Sequence, residues 1–193
     1  TTTVRSIMGI IRPRAGVIRY NSQEIHAYPS FKVAQAGIGL VPEGRQIFPN
    51  LNVHETLIAT EANRTGDPDP WTSHKIYELF PSLKVRQNNM GNQLSGGEQQ
   101  MLSMCRTLMG DPDMIMIDEP TEGLAPKIVD QVSRLLEEIA SRGVAILLVE
   151  QKLNVALRIS HRLYVMGHGQ IVYEGTSASL QLADEVRSEW LEV

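Results

Sequence analysis

The pattern of apolar positions predicts strands that alternate with helices. Three short apolar runs, at residues 38–41, 114–117 and 144–149, predict strands. The second run is wholly apolar, as a strand buried on both faces of a sheet requires. Between the second and third runs, apolar residues recur at three- and four-residue intervals and predict an amphipathic helix from Pro126 to Gly143. A strand, a helix and a strand at this spacing indicate a parallel pair with a right-handed crossover.

The stretch between the first two strands is predicted to be mostly helical. Asn52 and Glu55 have the spacing of a helix cap. Helices are also predicted at residues 74–80 and 96–108, with a surface turn at 66–70 and a polar loop at 84–93. We therefore expect a helical subdomain of about residues 52–109. Outside it, the pattern predicts helices at 2–11 and 33–37, a strand and turn at 17–25, and a hairpin over 163–173.

Composition restricts the class of protein. A chain of 193 residues fits one domain, which can bury roughly 70% of its unfolded surface. The 18 basic and 22 acidic residues give a net charge of -4 without a cluster of Lys or Arg, which argues against electrostatic nucleic-acid binding. Cys105 is the single cysteine, so no disulfide can form within the chain. No apolar run approaches the roughly 20 residues that cross a bilayer, so a membrane role would require a partner.

A serine followed by two glycines is the most informative run. Within Gln-Leu-Ser-Gly-Gly-Glu-Gln-Gln, the residues Ser95, Gly96 and Gly97 form a turn whose backbone can approach another molecule closely. The helix that follows presents its first amides to anions such as phosphate. Ser95 and Glu98 also match a Ser-x-x-Glu capping box, which would start a helix without any ligand. The run by itself leaves both interpretations open.

Two acids follow the second apolar strand. Asp118 and Glu119 precede Pro120 and fall at the carboxyl end of the strand, where α/β folds place ligands. A solvated turn is the alternative interpretation. The order of Leu-Ser-Gly-Gly-Glu-Gln, helix, apolar strand and Asp-Glu-Pro resembles the signature and Walker B motifs of ABC-type ATPases.

This resemblance implies an α/β fold of the P-loop NTPase type, with a mostly parallel sheet, flanking helices and the helical subdomain inserted within it. The family carries a phosphate loop, Gly-x-x-Gly-x-Gly-Lys, before the signature. This chain opens instead with Thr1-Thr2-Thr3, which is similar to the helix after the loop's lysine, although an ordinary helix start is the alternative. We expect an ABC-type ATPase domain over residues 1–193 whose first strand and phosphate-loop glycines precede Thr1. The 193-residue chain is therefore expected to bind ATP poorly and to be inactive alone.

The resemblance also implies which residues bind Mg²⁺ and ATP. Asp118 would hold Mg²⁺ opposite the Thr1 hydroxyl, with Glu43 near the metal, because this ion prefers hard oxygen ligands. Glu119 would be the general base that orients the attacking water, and Gln151 would be the second catalytic residue. The positions implied to contact nucleotide are Thr1, Thr2, Glu43, Ser95, Gly96, Gly97 and Glu98. The signature turn would serve the nucleotide of a second subunit, so a complete site needs two ATPase domains facing head to tail.

Three departures from the general ABC pattern narrow the resemblance. Glu43 stands where the Q-loop glutamine is usual, Gln151 where a switch histidine is usual, and Ala125 where many relatives have aspartate. Gln151 can donate a hydrogen bond to a γ-phosphate but cannot become cationic, whereas an ionised Glu43 offers only acceptors. An ordinary loop end after each strand is the alternative. Together, Val-Pro-Glu-Gly-Arg, Gly-Leu-Ala-Pro and Val-Glu-Gln resemble an ATPase subunit of branched-chain amino acid importers.

The function implied is ATP hydrolysis that drives an ABC importer for branched-chain amino acids or related solutes. Its expected partners are transmembrane permease subunits and a second ABC ATPase, identical or not, at the cytoplasmic face of the cell membrane. Two alternatives are the ATPase of a urea or short-amide importer and a catalytically silent ABC partner. A third is a non-transport ABC protein that acts on nucleic acid or ribosomes. Such proteins usually carry two ATPase domains or a long coiled-coil insertion, and the sequence has neither.

Overall fold

The order of helices and strands follows the alternating pattern of the sequence. The structure is a computed structural model that describes residues 1–191, and the chain divides into a first unit, Thr1–Val149, and a second unit that begins at Glu150. The first unit contains α1 Thr2–Ile7, β1 Arg19–Tyr20, β2 Gln23–Glu24, α2 Ser30–Gln35, β3 Ile38–Val41, α3 Val53–Ile58, α4 Ser73–Leu79, α5 Pro81–Val85, a 3₁₀ turn Gly91–Gln93, α6 Gly96–Leu108, β4 Met114–Asp118, α7 Pro126–Ser141 and β5 Ala145–Val149. The second contains α8 Leu153–Ile159, β6 Leu163–Gly167, β7 Gln170–Gly175, α9 Ser177–Gln181 and α10 Asp184–Trp190.

A three-stranded parallel sheet lies at the centre of the first unit. Its order is β3-β4-β5, and Val41 pairs with Ile117, which pairs in turn with Leu148. Residues 115–117 of the central strand are fully buried, as the apolar run predicts. Strand β5 is only half-buried, because β4 is its one pairing neighbour among the described residues. The parallel strands bring the ends of β3 and β4 to the same edge of the sheet, where the two acids lie.

One cluster of apolar side chains joins α1 and α2 to the sheet. Its buried members are Val4, Met8, Ile25, Val33, Ile38 and Met116. Helix α1 ends at Ile7 rather than near residue 11 as predicted. Gly9 has φ +66°, and a Cβ at this position would collide with the backbone oxygen of Tyr28. The helix therefore ends where the chain packs closely against the segment before α2.

Helices occupy much of residues 52–109, and several of their boundaries differ from those predicted. Asn52 and Glu55 form the predicted capping box, with Asn52 Oδ1 accepting from the Glu55 amide at 2.8 Å. The predicted polar loop at 84–93 was only partly correct, since α5 reaches Val85 and a 3₁₀ turn occupies residues 91–93. The apolar pattern missed α5 because the buried Leu83 is the one side chain that anchors it. The predicted hairpin over residues 163–173 is formed by β6 and β7, in antiparallel pairing.

Trp71 connects the segment before α4 to the end of α7. Its side chain is 5% exposed, and the Arg142 guanidinium carbon lies 4.4 Å from the centroid of its ring. Arg142 also pairs with Glu138 at 2.9 Å and with Asp69 at 3.6 Å. Because the stacked guanidinium and the two carboxylates are contributed by both segments, this contact fixes the helical region against α7.

Trp71→Ala is expected to lower the free energy of unfolding by about 3–5 kcal/mol, the usual cost of removing a large buried aromatic side chain. Chemical denaturation of the intact protein measures the change. Phe31→Ala is the matched control, because Phe31 is 60% exposed and its removal should change stability by less than about 0.5 kcal/mol. Equal losses for the two variants would contradict the assignment of Trp71 to the core.

Candidate functional site

The carboxyl end of β4 carries a buried carboxylate. Asp118 is the last residue of the strand and is only 2% exposed. Its Oδ1 accepts no hydrogen bond from the described residues, and it lies 3.4 Å from the backbone nitrogen of Thr1. A buried carboxylate oxygen without a hydrogen-bond donor is costly unless a cation compensates it. Asp118 is thus suited to attract a positive ion.

Three oxygen-bearing side chains predicted to lie near a metal converge at this edge of the sheet. Thr1 Oγ1 donates to Glu43 Oε2 at 3.2 Å, and the backbone nitrogen of Thr1 lies beside Asp118. Glu43 follows β3 by two residues and Asp118 ends β4, so the parallel pairing of these strands brings the two carboxylates to the same edge. Thr2, the first residue of α1, is exposed.

The chemistry of this group fits Mg²⁺. The described residues contain no cluster of three or more His, Cys, Asp or Glu side chains that could hold a metal by themselves. Mg²⁺ does not require one, because it is usually bound by one or two carboxylates together with phosphate oxygens and water. Asp118, Glu43 and the Thr1 hydroxyl supply hard oxygens of this kind, and the unsatisfied Asp118 Oδ1 is the observation that favours a cation.

Glu119 leaves the strand in an unusual conformation. Its φ is +50°, in the left-handed region, which costs roughly 1 kcal/mol for a residue with a side chain. The Glu119 amide donates to the carbonyl of Val149 at 2.9 Å, which holds the turn against the end of β5. Because β4 ends at Asp118, the left-handed turn rather than strand alternation determines the path of the chain at Glu119.

The Ser-Gly-Gly run begins α6 through the predicted capping box. The Ser95 amide donates to Glu98 Oε2 at 2.8 Å, and the Ser95 hydroxyl donates to the same oxygen at 2.7 Å. In return, Ser95 Oγ accepts from the Glu98 amide at 3.4 Å. The interpretation as a helix start is therefore correct, and it is compatible with a phosphate-binding role, since a capped helix end still presents free amides.

Glu98 is held in its ionised form. Burial raises its pKa, but the hydrogen bonds from Ser95 and the guanidinium of Arg86 outweigh this effect, so the pKa lies below the usual value. Arg86 Nε lies 2.8 Å from Glu98 Oε1. The capping box thus remains intact throughout the neutral pH range.

Side chains from other segments pack closely against both glycines of the turn. A Cβ built on Gly96 would lie 2.5 Å from Nη1 of Arg45, and one built on Gly97 would lie 2.9 Å from Cγ1 of Ile128. The absence of side chains at these two positions lets the guanidinium and the isoleucine approach the start of α6. Arg45 ends the Val-Pro-Glu-Gly-Arg run, and no local sequence pattern predicts its contact with Gly96.

Gln151 belongs to the second unit. It follows the last residue of β5 by two positions, and its neighbour Lys152 donates its amide to Glu150 Oε1 at 3.0 Å. Its suggested role in hydrolysis remains a prediction. Cys105 is fully buried in α6, and burial raises the pKa of its thiol far above the usual value, as expected for a core residue rather than a nucleophile.

Comparison with known protein families and sequences gives consistent results. The family model described as ABC transporter matches residues 1–122. The high-affinity branched-chain amino acid transport ATP-binding protein BraG of Pseudomonas aeruginosa is 38% identical over 191 residues, which are 99% of this chain and 82% of that protein. The lipopolysaccharide export system ATP-binding protein LptB of Escherichia coli is 28% identical over 193 residues, covering 99% of this chain and 80% of that protein.

Solved structures have the same fold. A nucleotide-free ATP-binding cassette from an ABC transporter superposes with a TM-score of 0.81 at 25% identity, over 100% of this chain and 82% of that one. A dimeric ATP-binding cassette in a post-hydrolysis state with ADP and Pi has a TM-score of 0.75 at 21% identity, over 91% of this chain and 79% of that one. Residues 1–191 include no helix with the length and apolar character needed to cross a bilayer.

Proposed function

The chain belongs to the ABC transporter family as an ATPase subunit, and we propose that the transporter it drives imports branched-chain amino acids or related solutes. The similarity to BraG carries this proposal, because that protein is 38% identical over nearly the whole chain. A probable branched-chain amino acid transport protein, LivF of Archaeoglobus fulgidus, supports it at 31% identity over 93% of the chain.

Other relatives favour different cargo. LptB serves lipopolysaccharide export by its name, and a Nod factor export ATP-binding protein of Paraburkholderia xenovorans is 32% identical, although this chain spans only 63% of it. A urea or short-amide importer is a further candidate, because the motifs around Glu43 and Gln151 do not distinguish these substrates. Cargo is recognised by the permease and binding-protein subunits, so the ATPase carries little information about it.

We propose a role in ATP hydrolysis for each of the following residues. Asp118, the Thr1 hydroxyl and Glu43 would hold Mg²⁺, which neutralises charge on the β- and γ-phosphates when it is bound. Glu119 accepts the proton of the attacking water, and its left-handed backbone conformation is of the strained kind that clusters at functional sites. Gln151 donates a hydrogen bond toward the γ-phosphate. Thr2 lies next to Thr1 at the start of α1 and is proposed to contact a phosphate through its backbone.

A second ATPase subunit would complete the site. The signature turn, residues 95–98, would meet the nucleotide held by the partner, and its capped helix end supplies the amides. The helical subdomain of about residues 52–109 would contact transmembrane permease subunits at the cytoplasmic face of the membrane. The chain itself would reach the membrane only through these partners.

Reconstitution with the cognate permease and binding protein in vesicles tests the proposed substrate. ATP-dependent uptake of leucine, isoleucine or valine is expected, with little uptake of urea or acetamide. Uptake of the amides alone, or movement of a lipid in the export direction, would contradict the proposal while leaving the ATPase assignment intact.

Asp118→Asn is expected to weaken the Mg²⁺ dependence of ATP binding by roughly 10–100-fold, the usual effect of removing a side chain that orients a metal through water. Calorimetric titration of ATP at increasing Mg²⁺ measures the change independently of turnover. Asp113→Asn is the matched control, since Asp113 precedes the opposite end of β4 and pairs with Arg64 at 2.6 Å. An unchanged Mg²⁺ dependence in Asp118→Asn would show that the metal lies elsewhere.

A further inference from the structure

One loop touches both the proposed metal site and the signature turn of the same chain. This segment, residues 42–50, connects β3 to α3 and is called here the 42–50 loop. At one end, Glu43 accepts a hydrogen bond from the Thr1 hydroxyl beside Asp118. Two residues later, the guanidinium of Arg45 lies over Gly96. Glu43 at the proposed metal site and Arg45 on the signature turn are therefore separated in the chain by one residue, Gly44.

The position of Arg45 opposes ligand binding at the signature turn. Gly96 is the first residue of α6, where the helix amides carry partial positive charge, and a guanidinium there is electrostatically unfavourable. Arg86 already places a second guanidinium on Glu98, whose other oxygen is occupied by Ser95. The Arg45 guanidinium thus lies against Gly96 at the start of α6, where it occupies space that another molecule would need to contact this residue.

The backbone holds Arg45 in this position. Three successive residues, Gly44, Arg45 and Gln46, have φ values of +78°, +66° and +41°. The Gln46 carbonyl accepts from Arg106 Nη1 at 3.0 Å, which ties the loop to the side of α6. Two consecutive non-glycine residues in the left-handed region are uncommon, and strained backbone of this kind clusters at functional and switch regions.

We propose that Arg45 is a positioning residue that covers the signature turn in the resting subunit, and that the turn can meet a partner's nucleotide only after Arg45 moves away. The proposal rests on the proposed function of the turn in a second subunit's site. Mg²⁺ and nucleotide at Thr1 and Glu43 would replace the hydrogen bond that anchors the start of the loop. Nucleotide binding in one site would thereby release the signature turn that serves the other site.

If Arg45 covers the turn, removing its side chain should strengthen dimerisation. Removing a side chain that binds phosphate would instead weaken it. If only a fraction of subunits has an uncovered turn and both turns of the dimer must be uncovered, the apparent dimer dissociation constant is raised by the inverse square of that fraction. Arg45→Ala in the intact protein removes the cover. Its ATP-dependent dimerisation, followed by analytical ultracentrifugation with a non-hydrolysable ATP analogue, is expected to tighten by on the order of 10-fold. Nucleotide binding to the monomer is expected to tighten as well, because in the variant the nucleotide no longer has to displace the cover.

Two further variants separate covering from charge. Arg45→Gln, which is shorter and neutral, should also tighten dimerisation, and it checks the result if Arg45→Ala fails to fold. Arg86→Ala removes the other guanidinium near the turn while Arg45 stays in place, so it should not tighten dimerisation. Tightening by Arg86→Ala equal to that by Arg45→Ala would attribute the effect to charge alone and overturn the proposal.

Other outcomes also decide the matter. Weaker dimerisation of Arg45→Ala would mean that the guanidinium binds the nucleotide, and an unchanged constant would mean that it does not cover the turn; either result overturns the proposal. If no variant dimerises with the ATP analogue, the role of the turn in trans is wrong and the proposal fails with it. Tighter dimerisation supports the proposal whichever solute the vesicle experiment identifies.

Discussion

Glu119→Gln is expected to leave ATP binding intact while the rate of hydrolysis falls by roughly 10²–10⁴, the usual contribution of a general base. Glutamine has nearly the same size and can adopt the left-handed turn, but it cannot accept the proton of the attacking water. The variant should therefore fold normally and accumulate with ATP bound. Single-turnover hydrolysis and nucleotide binding, measured on the intact protein, separate the two effects.

The turn itself supplies the matched control. Glu122 is an exposed acid three residues after Glu119, and its amide donates to the Glu119 carbonyl at 3.3 Å. Glu122→Gln removes one negative charge from the same turn without touching the proposed base, so hydrolysis should change little. If Glu119→Gln retains nearly full turnover, another group activates the water and the assignment is wrong.

Ser95→Arg is expected to abolish activity at the site formed with the partner's Walker B acids, with a loss of about 10² or more, as when a positioned donor is removed from a charged transition state. The site that contains the mutated subunit's own Asp118 and Glu119 should keep its activity. Ser95→Ala is the structural control, because it removes the cap, at a cost of about 1 kcal/mol, without placing a bulky side chain on the turn.

A pairing experiment distinguishes action in trans from action in cis. When Ser95→Arg and Glu119→Gln are placed on different subunits of a mixed dimer, the trans arrangement leaves one intact site and about half the activity. When both changes are on the same subunit, each site contains one defect and activity is lost. The opposite pair of results would show that the signature turn serves its own chain's nucleotide.

The sequence by itself determined the elements whose signals are local. Strand β3 has the predicted bounds, α6 begins and ends as predicted, and the capping boxes at Asn52 and Ser95 form as expected. Apolar periodicity and capping hydrogen bonds involve residues within about four positions of one another, so the local sequence contains the information. The same reasoning selected Asp118 and Glu119, because they follow a wholly apolar run.

Apolar periodicity could not predict the shortest helices. Helices α5, α8, α9 and α10 have five to seven residues each, and each of the four buries a single side chain or none. Isolated helices of this length are unstable, so tertiary contacts rather than periodicity determine where they form.

Only the tertiary structure decided which distant groups meet. The hydrogen bond between Thr1 and Glu43 and the packing of Arg45 on Gly96 depend on the parallel register of β3 with β4 and on the way the 42–50 loop lies against α6. The left-handed conformation of Glu119 likewise depends on its bond to Val149 of the neighbouring strand. No local pattern carries this information, because the energy of each contact arises from packing between segments far apart in the chain.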